Sequence, residues 1–233
     1  MNPFNETRVT HAAAADRPVV DALGRVLATN RVIRNTYLLL AMTLAFSALT
    51  AAASMVLNAP HPGLVLTLVG YFGLLFLTTS FRNSGLGVAF VFALTGFMGY
   101  TLGPILNAYL GLPNGGHLVM TAMGATAAVF LGLSGYAIAS RRDFSFMGGF
   151  LVVGILTAFL AGLAAVFFEM PALSLTVSAV FVLLMSGLIL YETGNIIRGG
   201  ETNYIMATVT IFVSIFNLFT SLLHLLGFAT SRE

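Results

Sequence analysis

Cysteine is absent from the 233 residues, so disulfides, thiolate chemistry and Cys-ligated metals are excluded. Charge is nearly as scarce. Only 8% of the residues are Asp, Glu, Lys or Arg, where a soluble domain carries about 25%. Lysine is missing altogether; all ten cations are arginines, which genome composition explains as readily as function does. The four histidines, His11, His61, His117 and His224, are scattered without H-x-x-x-H spacing, which argues against a zinc site. There is no G-x-S-x-G, H-E-x-x-H or phosphate loop. No Asp lies within an apolar run, so the Asp pair that intramembrane proteolysis needs is missing. Neither an enzyme nor a cofactor is expected.

What remains is apolar: 58% of the chain, arranged in long runs, which defines an integral membrane protein. Seven runs are expected as helices, over residues 37–57, 63–79, 85–110, 118–139, 146–168, 172–197 and 204–229. A span needs about 20 residues, so the second run is the shortest candidate. The breaks carry turn chemistry, such as Asn58-Ala-Pro-His-Pro and Leu112-Pro-Asn-Gly-Gly. They are too short to hold a soluble domain. The expected organisation is a flexible tail over residues 1–35, a bundle over 36–229 and an external C-terminus over 230–233. No early apolar segment with a cleavage site is seen, so the first run is read as an uncleaved anchor.

Orientation follows from the arginines. Arg8, Arg17, Arg25, Arg31 and Arg34 lie in the tail, Arg82 in the second gap, Arg141 and Arg142 in the fourth and Arg198 in the sixth. Only Arg232 falls on the other side. Nine against one places the N-terminus in the cytoplasm and, with seven spans, the C-terminus outside.

Small residues mark where helices approach closely. Gly99 and Gly103 form a G-x-x-x-G pair with Gly96 nearby, Gly132 and Gly135 sit in the fourth run, and Gly154 and Gly162 in the fifth. Pro104 removes a hydrogen bond from the third run and is expected to kink it.

The last run carries a polar stripe: Thr210, Ser214, Asn217, Ser221 and His224, spaced 4, 3, 4 and 3 apart. That spacing puts all five on one helical face. Such a face avoids lipid, so the last helix is expected to be central, its polar face packed against neighbours or lining a hydrated path. The segment LYETGNIIRGGETNY, residues 190–204, joins the last two runs and holds Glu192, Arg198 and Glu201. Glu192 lies inside the apolar pattern, where a charge costs roughly 2.5–3.5 kcal/mol at mid-span on insertion scales. Asn195 shares its face. Six residues separate Glu192 from Arg198, roughly 9 Å along a helix. A structural carboxyl bonded locally or paired with Arg198 and a proton- or ion-handling group are both open readings.

The residues 190–204, with the following ATVTIFVSIFNLFTSLLHLLGF, resemble the C-terminal signature of the Bax inhibitor-1 family. TLAFSALTAAAS, FALTGFMGYTLGPILNAYL and RRDFSFMGGFL are similar to its proteobacterial YccA branch. The likeness runs from about Arg31 to Phe228. It implies an all-α membrane protein of seven transmembrane helices with the last at the centre, in the bacterial inner membrane. It also implies two functions. Proteins of that branch modulate, and are substrates of, the ATP-dependent protease FtsH, acting with HflK and HflC. The wider family forms pH-sensitive Ca²⁺ leak pathways gated by two acids, one each on the sixth and seventh helices. Glu192 matches the first acid, in the family's tyrosine-acid motif. Ser214 stands where the second belongs, which counts against an acid pair in this chain. The expected function is therefore modulation of FtsH-dependent turnover, with the tail as the segment a cytoplasmic motor grips. A Ca²⁺ or H⁺ leak through Glu192, Asn195, Ser214 and Asn217 is the alternative.

Overall fold

The computed structural model describes residues 3–140 and 142–230, with side chains from residue 27 onward. Arg141, Arg232 and the rest of the expected external terminus, 231–233, lie outside the described residues, as do the side chains of Arg8, Arg17 and Arg25. Among the described residues there are seven α-helices and no strand: α1 (Pro3–Val56), α2 (Leu64–Ser80), α3 (Gly85–Leu110), α4 (Gly115–Ser140), α5 (Met147–Phe167), α6 (Pro171–Ile197) and α7 (Tyr204–Thr230). Six are long and apolar enough to cross a membrane, α1 through its part Leu27–Val56. The chain is a multi-pass membrane protein.

The expected breaks form the turns. In the first, helix and tail are continuous: α1 runs through the expected start near residue 37 because no Pro or Gly interrupts residues 26–37. At the α4 start, Gly115 and Gly116 lie inside the helix, three residues earlier than the apolar pattern indicates. Pro104 leaves α3 unbroken from Gly85 to Leu110.

The second helix is shorter than the six candidate spans and packs along α3. Its leading end adjoins Pro60, whose carbonyl accepts a hydrogen bond from Tyr100 Oη. Its trailing end adjoins Arg82, whose carbonyl accepts from Asn203 Nδ2 at the start of α7. Seventeen residues rise about 26 Å, slightly less than the roughly 30 Å hydrocarbon core.

Helix α7 is central. It packs against α1, α3, α4 and α6, and it is the only described helix that contributes buried residues to all three core clusters. Ile205, Ile211 and Phe212 join one, Leu218 the second, and Phe219 with Leu223 the third. Dispersion contacts must supply much of this packing, since lipid chains offer no hydrophobic gradient between helices.

Glycine controls the α1–α3 contact. A methyl group on Gly99 would collide with the Ser47 carbonyl oxygen and Thr50 Oγ1, and one on Gly103 with Ser54. Gly96 lies against the ring of Phe46, and Gly154 seats Leu184 of α6. Gly132 and Gly135 depart from the expectation: nothing lies within 4 Å of where their side chains would begin. They face open space on α4 and bring no helix closer.

Candidate functional site: a buried carboxyl above a tied turn

Glu192 sits in the last turns of α6 and is 6% exposed. Its position within an apolar helix is what the sequence indicates. Its partners are not. Among the described residues it makes no hydrogen bond or ion pair, and Arg198 is engaged elsewhere. Arg198 Nη2 lies 2.8 Å from Asp143 Oδ1 in the α4–α5 connection, and its Nη1 donates to the Arg142 carbonyl at 2.8 Å. Arg198 therefore does not pair with Glu192 in this arrangement, and both of its terminal nitrogens engage another loop.

Hydroxyls surround the same depth. Thr193 Oγ1 lies 3.3 Å from Tyr37 Oη of α1 and 3.4 Å from Ser134 Oγ of α4. Thr208 Oγ1 of α7 is within bonding distance of the Tyr204 carbonyl at 2.7 Å and the Thr36 carbonyl at 3.2 Å. Thr36 Oγ1 is buried with no partner among the described residues. The arginine-bearing third of the bundle thus holds a polar layer from α1, α4, α6 and α7 around an apolar interior. Isolated hydroxyls of this kind leave no periodic trace, so the sequence offers no signal for them.

Ser214 is fully buried and its hydroxyl donates to the Thr210 carbonyl at 2.7 Å. Asn217 Nδ2 donates to the Val213 carbonyl at 2.8 Å. Ser221 is buried and Thr210 half-buried. His224 Nδ1 lies 2.8 Å from Ser178 Oγ of α6, while that hydroxyl is 3.0 Å from the Ser174 carbonyl. Ser214 Oγ and Asn217 Nδ2 thus bond back onto their own helix, while His224 ties α7 to α6. No hydrogen bond joins Glu192 to Asn195, Ser214 or Asn217 among the described residues.

The turn below Glu192 is built tightly. Helix α6 ends at Ile197, and Gly199 takes a left-handed φ of 73° that only glycine adopts without strain. The Gly200 N–H then bonds the Asn195 carbonyl at 2.9 Å. Glu201 Oε1 accepts from the Asn203 N–H at 2.6 Å, which fixes the connection in a local turn. Asn203 is the key residue that sequence reasoning passed over. Its Oδ1 accepts from the N–H groups of Ile205 (3.0 Å) and Met206 (3.2 Å), capping α7. Its Nδ2 donates to the Arg82 carbonyl and to Asn83 Oδ1 in the α2–α3 turn. An Asn just ahead of an apolar run is a helix-start signal, so its capping role was legible, though its second set of bonds was not.

The three arginine-bearing connections therefore meet at one end, with the α6–α7 turn holding the other two. Asp143 reinforces this: hydrogen bonds from the Ser145 hydroxyl (2.6 Å) and N–H (2.8 Å), and then Arg198, hold its carboxyl below the usual carboxylate range. No group of three or more His, Cys, Asp or Glu that could hold a metal occurs among the described residues.

A seven-helix membrane bundle with a central last helix and a buried carboxyl just above a tied final turn defines the class. The family profile described as "Inhibitor of apoptosis-promoting Bax1" matches residues 29–231, and the chain belongs to that family. It is 55% identical, over 88% of its length and 93% of the relative's, to the modulator of FtsH protease YccA of Escherichia coli K12. The inner membrane protein YccA of another Escherichia coli strain, O6:H1, is similar to the same extent. An uncharacterized membrane protein of Vibrio cholerae is 44% identical over 91% of this chain and 96% of its own.

Proposed function

We propose that this protein is an inner-membrane modulator of the FtsH protease, inserted with its N-terminus in the cytoplasm and its C-terminus outside. The observation that carries the reading is the 55% identity, spanning nearly both chains, to a relative that bears this name. The proposed mechanism is occupancy: the motor engages the cytoplasmic tail while the bundle resists extraction, keeping the protease from other clients. HflK and HflC are proposed as accompanying partners.

The packing of α1 supports such resistance, because α1 is the first transmembrane element a motor pulling on the tail would load. Ser54 Oγ donates to the Tyr100 carbonyl at 2.9 Å, and Asn107 Nδ2 to the Met55 carbonyl at 3.2 Å. Toward the other end, Thr208 reaches the Thr36 carbonyl and Tyr37 reaches Thr193. Such interhelical bonds average about 0.6 kcal/mol each. Four of them with the glycine-mediated α1–α3 seam make α1 slow to pull free.

The test is proteolysis of a membrane substrate by purified FtsH in liposomes, with the intact chain or with residues 31–233 added. Slower substrate turnover with the intact chain, lost on truncation, is expected. Unchanged turnover and unchanged FtsH binding after deletion of residues 1–30 would refute the occupancy mechanism.

A second reading is favoured by one observation, that Glu192 is buried without a bonded partner. It is a proton or Ca²⁺ leak. Ser214 opposes it, since its hydroxyl is bonded to its own helix and supplies no second carboxyl. A pH-dependent Ca²⁺ flux into liposomes that Glu192→Gln abolishes would favour the leak over the modulator.

A further inference from the structure

On the half of the bundle away from the arginines, a cavity of about 440 Å³ lies between α1, α3, α4 and α7. Ala48 and Ala52 of α1 and Ala127 of α4 stand at its rim, Leu106 of α3 and Phe216 of α7 form its walls, and Phe130 belongs to its inner end. The crevice exists because α1 and α4 share no packed seam. Their rings meet at Tyr37 and Phe130, with centroids 6.4 Å apart. Beyond that contact the alanines leave a gap where larger side chains would close it. Ala48, Ala52, Ala127 and Met123 are exposed, so the gap opens sideways between two membrane-spanning helices.

Three physical constraints fix what fills it. The lining is almost wholly apolar, and such a space stays dry. An empty space forfeits the dispersion contacts of its walls. Its mouth lies at the depth of the spans, where the surrounding medium is hydrocarbon. Its width then selects between two hydrocarbon occupants. From Leu44 to Met55 the α1 wall is about 16 Å long by helical rise. Measured wall to wall, the space over that length has a mean cross-section of roughly 60 Å², below the ~80–110 Å² of a helix 10–12 Å across with its side chains. A partner's transmembrane helix does not fit; an extended hydrocarbon chain does. We propose that the crevice binds a single acyl chain of a membrane phospholipid, from the leaflet at the end opposite the arginines. The chain completes the missing α1–α4 seam and packs against α7.

The protein contains no tryptophan, so one introduced indole reports on its surroundings alone. Phe216→Trp puts the probe in the crevice, and Phe150→Trp puts it on the 70%-exposed outer face of α5. Each variant, in liposomes whose phospholipid carries one brominated acyl chain, is compared with the same protein in unbrominated lipid. Phe216→Trp fluorescence is expected to fall by more than half, as for the lipid-facing control. Adding Ala52→Phe at the rim should restore most of it while leaving the Phe150→Trp control quenched. Phe130→Trp serves if Phe216→Trp does not fold. Unquenched Phe216→Trp beside a quenched control would overturn the proposal, as would quenching that Ala52→Phe leaves unchanged. Quenching by brominated free fatty acid in unbrominated vesicles, without quenching by brominated phospholipid, would overturn the assignment to a phospholipid chain.

Discussion

Arg198 and Asp143 face each other at 2.8 Å across the α6–α7 and α4–α5 connections, so the arginine nearest Glu192 in sequence is committed to a different carboxylate. The pairing ties two loops together and leaves the buried acid of α6 without a bonded partner among the described residues. It also carries a pH prediction. Hydrogen bonds from Ser145 and the charge of Arg198 depress the Asp143 pKa, so the charged form is favoured in the folded state. The stabilisation is then fully present above the unfolded value near 3.9 and is lost only as pH falls through the lower folded value. Hydrogen exchange in residues 142–146, taken relative to the intrinsic rate at each pH, should stay unchanged from neutral pH to pH about 5, above that range. Asp143→Asn should speed it several-fold at neutral pH.

Asn203 should be costlier to lose than its half-buried position suggests. Asn203→Ala removes the α7 cap, worth about 1 kcal/mol, together with the bonds to Arg82 and Asn83. Asn203→Asp keeps the cap acceptor and loses the amide donor, so its stability should fall between wild type and alanine. Unfolding of the detergent-solubilised protein by increasing SDS measures the order; an aspartate variant equal to alanine would show that the inter-turn bonds, not the cap, dominate.

The α1–α3 seam predicts a change of fate under proteolysis. Gly99→Leu forces a branched side chain against the Ser47 carbonyl and Thr50, and overpacking of this kind costs about 1–3 kcal/mol. If resistance of α1 to extraction is what distinguishes a modulator from a client, Gly99→Leu should be degraded by FtsH several-fold faster than wild type. Gly132→Leu, at an open position on α4, should be degraded at the wild-type rate.

Most of this fold could be read from the chain because membrane insertion leaves few choices. The apolar runs fix helix number and length, the arginines gather at one end, and the period of Thr210, Ser214 and Asn217 marks α7 as interior. Contacts that depend on where two helices sit relative to one another were not readable. Gly99 and Gly132 look alike in sequence, yet one faces a backbone and the other open space. Arg198 has two acids of its own segment within ten residues, yet its partner lies 55 positions away in another loop. The polar layer of Tyr37, Ser134 and Thr193 is assembled from three helices and has no linear pattern at all.

A carboxyl that anchors structure through bonds to neighbours leaves those neighbours unsatisfied when it is removed, at about 1–3 kcal/mol. Glu192 has no such neighbours among the described residues, so its burial is a cost the rest of the bundle offsets. Glu192→Leu should therefore be as stable as wild type or more so, as replacement of other buried ionisable groups by apolar ones has been. Glu192→Gln, which still buries an amide, should lie close to wild type. Both can be measured by SDS titration in detergent. Retention of FtsH modulation by both variants would separate the carboxyl from the proposed function. A loss of modulation at unchanged stability would mean instead that the carboxyl itself is needed for activity.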